Sequence, residues 1–280
     1  MPAILSTKDH SRDSAGMKYV YPVISRRAGG VSVGINLNTN NACNWACIYC
    51  QVPNLARGAA PEVDLHQLES ELRLFLLNAT SGDYLLRNAP PGARTLVDVA
   101  FSGNGEPTSS KAFPEAINIA GHLLEEFGLS TKVRLRLITN GSLLHRAYVR
   151  EGIARLGERN GEVWFKIDRA SQTGVRLVNG VTTTPQKTRK ALITCAKLAP
   201  TWVQTCFFAL DGQSIDDQEF EAYLDLLSTV KDEIRGVLLY GLARPSLQPE
   251  AKRLSALSAE SLSEFARRIE ATGIEVFVTP

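Results

Sequence analysis

The order of apolar and polar segments predicts an α/β protein built on an incomplete (β/α)6 barrel of parallel strands. Three observations carry that expectation. Short β-branched runs alternate with amphipathic helical stretches six or seven times along 280 residues. No Pro/Gly/Ser-rich linker, low-complexity tract or short repeat breaks the series. Every polar, glycine-bearing stretch follows directly after a strand, where barrels of this kind gather their chemistry. A doubly wound open sheet is the competing fold, and pattern alone does not separate the two.

The elements follow in order. Residues 1–18 are polar and weakly periodic, which predicts a flexible arm ahead of a single domain over 19–280. Tyr19–Ala28 supplies the first hydrophobics and the pair Arg26-Arg27. Val31–Leu37 alternates as a strand and runs into a polar loop. Leu65, Leu68, Leu72, Phe75 and Leu76 fall at helical spacing, with Asp64 as N-cap. Residues 80–94 read as an exposed insertion. Strands are expected at 95–101, 133–139, 162–168, 201–208, 236–240 and 275–278. The helices between them fall at 113–127, 145–156, near 185–198, 215–234 and 259–272.

Composition limits the function classes. With 44% hydrophobic and 21% charged residues, the chain reads as a soluble globular protein with a sizeable core. No apolar run reaches the ~18 residues of a membrane helix, and the first residues lack a signal-peptide pattern. Five cysteines, an odd number, argue against a disulfide framework and for the reducing cytoplasm. A formal charge of +2 does not announce nucleic acid.

Three of those cysteines lie within eight residues as Cys43-x3-Cys47-x2-Cys50, with Tyr49 before the last. A structural zinc site needs four ligands, so the triplet leaves a corner empty. An iron–sulfur cube tolerates that, holding three irons by thiolate and leaving the fourth for an exogenous ligand. A zinc knuckle with a distant fourth ligand, or three unrelated core cysteines, stays open at this point. The four histidines show no mutual metal-ligand spacing.

The other strand ends supply partners. Gly103-Asn104-Gly105-Glu106-Pro107 combines two Cβ-free positions with a carboxylate suited to a ligand ammonium. Asn140 and Ser142 suit ribose hydroxyls or a carboxylate, although Ser142 also suits a helix N-cap. Lys166 and Asp168 alternate on one strand face with Trp164, so they are either an interior pair or rim charges. Gln204 and Cys206 share a face of the next strand, while Cys195 reads as a small buried hydrophobe on a helix. Tyr240 suits an adenine, and Arg244 suits an anionic substrate group.

Taken together, Ser25-Arg26-Arg27, Val33-Gly34-Ile35-Asn36, Cys43-Asn44, Ile48-Tyr49-Cys50-Gln51, Phe101 through Thr108, Thr139 through Leu143 and Ala243-Arg244-Pro245 resemble the radical S-adenosylmethionine proteins. The likeness is to the branch that also holds the archaeal wyosine-forming tRNA enzymes and uncharacterised bacterial iron–sulfur oxidoreductases. It implies one [4Fe–4S] cluster on Cys43, Cys47 and Cys50, with S-adenosylmethionine on its open iron. Tyr49, Gly103, Asn104, Gly105, Glu106, Asn140, Ser142, Gln204 and Tyr240 would surround that cofactor. Lys166, Asp168 and Arg244 would face the substrate, and an external one-electron donor such as flavodoxin or ferredoxin would reduce the cluster. The wyosine enzymes use a second cluster, held by three cysteines ahead of the shared motif. No cysteine precedes Cys43 here, so a small molecule or peptide is favoured over a tRNA base. Arg134, Arg136, Arg146, Arg150, Arg155 and Arg159 are the residues available for a basic flank. A non-catalytic iron–sulfur or zinc protein that binds nucleic acid or senses redox state is the alternative of another class.

Overall fold

The computed structural model describes residues 5–7 and 15–280. Eight strands form one sheet: β1 Val20–Ser25, β2 Gly30–Ile35, β3 Leu96–Phe101, β4 Arg134–Thr139, β5 Glu162–Lys166, β6 Thr201–Cys206, β7 Val237–Tyr240 and β8 Val276–Thr279. Each strand pairs with its neighbour in chain order. A doubly wound sheet would reverse that order at a switch point, so the competing fold is excluded. The sheet curls into an incomplete barrel. From β2 to β8 all pairings are parallel, and six crossovers link those seven strands.

β1 pairs antiparallel with β2, Val20 opposite Ile35 and Ser25 opposite Gly30. Its Pro22 fits an edge strand, where one ladder hydrogen bond is dispensable. The β1–β2 turn lies at the amino end of β2, and the cysteine loop lies at its other end.

Seven helices clothe the sheet: α1 Leu65–Thr80, α2 Phe113–Glu126, α3 Ala147–Glu158, α4 Gln172–Asn179, α5 Pro185–Ala196, α6 Asp217–Ser228 and α7 Ala259–Glu270. Asp64 caps α1 by accepting from the Gln67 amide at 3.0 Å, as its position predicts. Ser142 does not cap a helix, because α3 begins only at Ala147 behind Arg146. The sequence reading passes over α4, which is eight residues long; Ser171 caps its start and left-handed Gly180 ends it. Residues 80–94 are not simply exposed. They include the short helix Tyr84–Asn88, and the Tyr84 ring packs edge-on against Phe75 at 5.1 Å.

Most of the expected arm, His10 included, lies outside the described residues. Leu5, within it, is buried in the main core, and its amide donates to the Asn88 carbonyl at 2.7 Å.

Strand alternation divides the molecule into two environments. Val31, Val33, Val99, Phe101, Leu135, Leu137, Val163, Phe165, Val203 and Leu239 point outward and form the apolar core beneath the helices. Their alternates point inward, where Ser32, Asp98, Arg136, Trp164, Lys166, Cys206 and Tyr240 line a cavity. The core therefore sits between sheet and helices, and the barrel interior is polar. No helix among the described residues is long and apolar enough to cross a membrane.

Candidate functional site

The cysteine loop leaves the end of β2 and is tied down on several sides. Asn38 donates from Nδ2 to the Ala42 carbonyl at 2.9 Å and to Ser109 Oγ at 3.1 Å. The Ala46 and Ile48 amides donate to the carbonyls of Asn179 and Val178, at 3.0 and 2.9 Å. The Ile48 carbonyl accepts from Ser246 Oγ at 2.7 Å, and that of Cys50 from the Leu247 amide at 2.9 Å. Cys43, Cys47 and Cys50 thereby line one cavity of about 300 Å³ at the carboxyl ends of the strands.

Burial pushes the Cys43 thiol up to about 11, helped by the nearby Glu106 charge, and the Cys47 thiol up to about 12. Such thiols ionise when a bound cation draws off their protons. No three His, Cys, Asp or Glu side chains among the described residues converge closely enough to hold a single metal ion. A tetrahedral zinc with bonds of about 2.3 Å requires that convergence. A cube instead spreads its thiolates over separate corners, one to each of three irons.

Glu106 is buried, and its carboxylate gathers four protein donors. Oε1 accepts from the Thr108 amide at 3.1 Å, Thr108 Oγ1 at 2.6 Å and Thr139 Oγ1 at 2.7 Å; Oε2 accepts from the Asn140 amide at 2.7 Å. Burial raises its pKa, and these bonds oppose the rise. Glu106 thus clasps the ends of β3 and β4 together beside the cysteines, besides lining the cavity.

The two glycines meet protein where a ligand was expected. A Cβ on Gly105 would stand 2.1 Å from the Ala42 carbonyl oxygen, and one on Gly103 would stand 2.5 Å from Asn36 Oδ1. Their missing side chains let this turn nest against the cysteine loop. Asn104 between them donates to Asn41 Oδ1 at 2.7 Å, while its own Oδ1 is buried without a donor among the described residues. An acceptor left bare beside the thiols suits a ligand donor.

Lys166 and Trp164 line the cavity, which settles the face that alternation had left open. Lys166 Nζ donates to Tyr240 Oη at 3.2 Å and stands 3.7 Å from Asp168 Oδ1. Burial, the largest single influence, works against its ammonium, but the charges of Asp168, Tyr240, Cys47 and Cys206 together outweigh it and hold the pKa above the ordinary lysine value. Asp168 also accepts from Tyr49 Oη at 2.6 Å, Asn179 Nδ2 at 2.8 Å and the Cys206 amide at 3.0 Å. It joins β5 and β6 to the cysteine loop. Gln204 is buried with Nε2 unpaired among the described residues, and it does not line the cavity. Cys206 faces the cavity, whereas Cys195 sits in the core behind the sheet.

Asn140 and Ser142 turn toward the cysteine loop. Asn140 Nδ2 donates to Asn44 Oδ1 at 2.9 Å, and Asn44 Nδ2 donates to Ser142 Oγ at 2.7 Å. Arg244 lines the cavity and donates from Nε to Gln51 Oε1 at 2.8 Å and from Nη1 to the Thr7 carbonyl at 3.0 Å.

The interior also holds charges that the sequence reading placed elsewhere. Arg136, expected on a basic flank, turns inward; it meets the Asp98 carboxylate and donates from Nε to Glu162 Oε1 at 2.7 Å. Trp164 Nε1 donates to the same Glu162 oxygen at 3.0 Å. Spacing of two residues to Trp164 and Lys166 was the available sign for Glu162. Of the other flank residues, Arg155 pairs with Glu115 and Glu151, and Arg159 with Glu125, whereas Arg134, Arg146 and Arg150 donate to neutral groups.

Comparison with known proteins places the fold more firmly than the function. No protein-family model matches the chain. It is 29% identical over 154 residues to a protein described as GTPase Obg from Brachyspira hyodysenteriae, across 54% of this chain and 19% of that one. It is 30% identical over 135 residues to a UPF0026 protein of Helicobacter pylori (47% and 37% of the two chains). It is 28% identical over 163 residues to a UPF0026 protein of Methanocaldococcus jannaschii (56% and 42%). The chain thus spans less than half the length of these relatives. These 280 residues hold no G-x4-G-K-[ST] phosphate loop. Among solved structures, Streptococcus suis SuiB bound to S-adenosylmethionine superposes on 90% of this chain and 47% of its own, with a TM-score of 0.55 at 13% identity. At that identity the likeness is one of fold.

Proposed function

We propose that this chain is a radical S-adenosylmethionine enzyme. The observation that carries the reading is the convergence of Cys43, Cys47 and Cys50 on one barrel cavity, at the strand ends, beside the Gly103–Glu106 turn. The shared fold with SuiB, solved with S-adenosylmethionine bound, supports it. When bound, a [4Fe–4S] cluster and S-adenosylmethionine supply the one-electron chemistry that yields a 5′-deoxyadenosyl radical for hydrogen abstraction.

The protein's own residues hold and shield that chemistry. The three thiolates anchor the cluster, and Asn179 donates a hydrogen bond to one of them. Asn104 Oδ1, buried without a donor among the described residues, would be available to a donor of the bound cofactor, and Glu106 fixes the turn that carries it. Lys166 places its ammonium on the interior wall, where a carboxylate is met in a low-dielectric setting. Tyr49, Trp164 and Tyr240 wall the interior and keep water from a reactive centre. An external flavodoxin- or ferredoxin-type donor supplies the electron. A small molecule or peptide is favoured over a tRNA base, since Arg136 faces the cavity and Arg155 and Arg159 are paired with carboxylates.

Anaerobic incubation of the reconstituted protein with S-adenosylmethionine and dithionite tests the reading. The expected product is 5′-deoxyadenosine, formed by the wild type and absent in Cys47→Ala. Equal amounts from both, or none from a fully loaded wild type, would end it.

A further inference from the structure

The cavity extends away from the cysteines toward the β1–β2 turn, and there its charges stop balancing. Two interior cations have carboxylate partners: Arg136 meets Asp98 and Glu162, and Lys166 meets Asp168. Arg26 and Arg27, adjacent on the turn, both line the cavity, and neither forms an ion pair with an Asp or Glu side chain among the described residues. Arg26 donates to the backbone oxygen of Pro280. The Arg27 guanidinium lies over two rings, 5.1 Å from the Trp164 centroid and 4.6 Å from that of Tyr240. Its Nη1 is buried and has no acceptor among the described residues.

A buried cationic donor without a partner is costly, and a ring face supplies only part of what is lost. Arg27 lines the cavity, and the planar fork of a guanidinium suits the two oxygens of a carboxylate or phosphate. Arg26 next to it deepens the positive potential.

From this we infer that Arg27 binds a terminal oxyanion of the substrate, with Trp164 and Tyr240 flanking the part of the molecule next to that group. The inference rests on the proposed enzyme reading for the word substrate. The anion site itself stands on the geometry alone.

The test is titration of the full-length chain with inorganic phosphate and, separately, with acetate, each against chloride at equal ionic strength. Tryptophan fluorescence is followed in the wild type, Trp164→Phe, Arg27→Gln and Arg27→Lys. Saturable quenching by at least one oxyanion is expected, and it should vanish in Trp164→Phe. Which anion saturates distinguishes a phosphate from a carboxylate substrate. Arg27→Gln should weaken binding about tenfold or more, as loss of a charge-assisted bond does. Arg27→Lys should retain part of it, which covers the case in which the glutamine variant fails to fold. Absence of saturation by either anion, or unchanged binding in both Arg27 variants, overturns the inference. Formation of 5′-deoxyadenosine by the same preparations separates the two claims. Cofactor cleavage without anion binding removes only the Arg27 site; anion binding without cleavage removes only the enzyme.

Discussion

Asn179 donates from Nδ2 to Cys47 Sγ at 3.2 Å while the same nitrogen donates to Asp168 Oδ2 at 2.8 Å. One amide thus couples a proposed cluster ligand to the buried Asp168 carboxylate. Hydrogen bonds to cluster sulfur favour the more negative, reduced state. Asn179→Leu should therefore retain iron but lower the reduction potential, on the order of 60 mV for a bond of about 1.4 kcal/mol in a one-electron couple. Potentiometric titration followed by electron paramagnetic resonance measures it. An unchanged potential would show that this contact only positions the loop.

Gly105→Ala should harm the cysteine loop before it harms ligand binding. Its Cβ would press on the Ala42 carbonyl, a backbone atom with little freedom to move. A cost of about 1–3 kcal/mol is typical of forced overpacking. The melting temperature and the cluster absorbance near ~400 nm should fall together. Gly92→Ala, with nothing within 4 Å of the new methyl, should leave both unchanged. If Gly105→Ala keeps its cluster and loses only cofactor affinity, the glycine serves the ligand after all.

Glu106→Ala removes the acceptor for two buried backbone amides, those of Thr108 and Asn140. Each unsatisfied amide costs about 1–3 kcal/mol, so thermal stability should drop clearly. Because Asn140 also holds Asn44 of the cysteine loop, S-adenosylmethionine binding should weaken as well. Calorimetry on the folded fraction separates the effects. Full affinity in the destabilised variant would confine Glu106 to the scaffold.

Tyr49→Phe removes a 2.6 Å hydrogen bond to the buried Asp168 carboxylate but leaves its Lys166, Asn179 and Cys206 contacts. Hydrogen bonds to charged groups contribute about 1.5–3 kcal/mol. Chemical denaturation should show a loss in that range with the cluster retained. Loss of the cluster instead would make Tyr49 essential to the loop's placement.

The barrel and its rim were legible because strand ends advertise themselves: alternation stops, and glycine with polar residues follows, as at Phe101-Ser102-Gly103 and Thr139-Asn140-Gly141. Helix α4 was less legible, being one short amphipathic stretch rich in polar residues. Alternation grouped Trp164 with Lys166 correctly, but no local pattern says which face of a strand meets a cavity. Arg136 was misplaced for that reason. Gly105 was recognisable as a close approach, yet whether a ligand or the Ala42 carbonyl approaches depends on a loop 60 residues earlier. Arg27 reaches Trp164 and Tyr240 from a turn, and turns carry no periodicity to read.

The central claim is that Cys43, Cys47 and Cys50 hold a single four-iron cluster with an open corner, and metal analysis tests it most directly. Anaerobically reconstituted protein should contain about four irons and four sulfides per chain and no stoichiometric zinc, because a cube takes its three thiolates from this loop. Cys195 and Cys206 lie on opposite sides of the sheet and cannot join in a second site, so Cys195→Ala and Cys206→Ala should keep that content. The Cys43/Cys47/Cys50→Ala triple variant should fall to background. About one zinc per chain, or about eight irons in the wild type with about four persisting in the triple variant, would contradict the account.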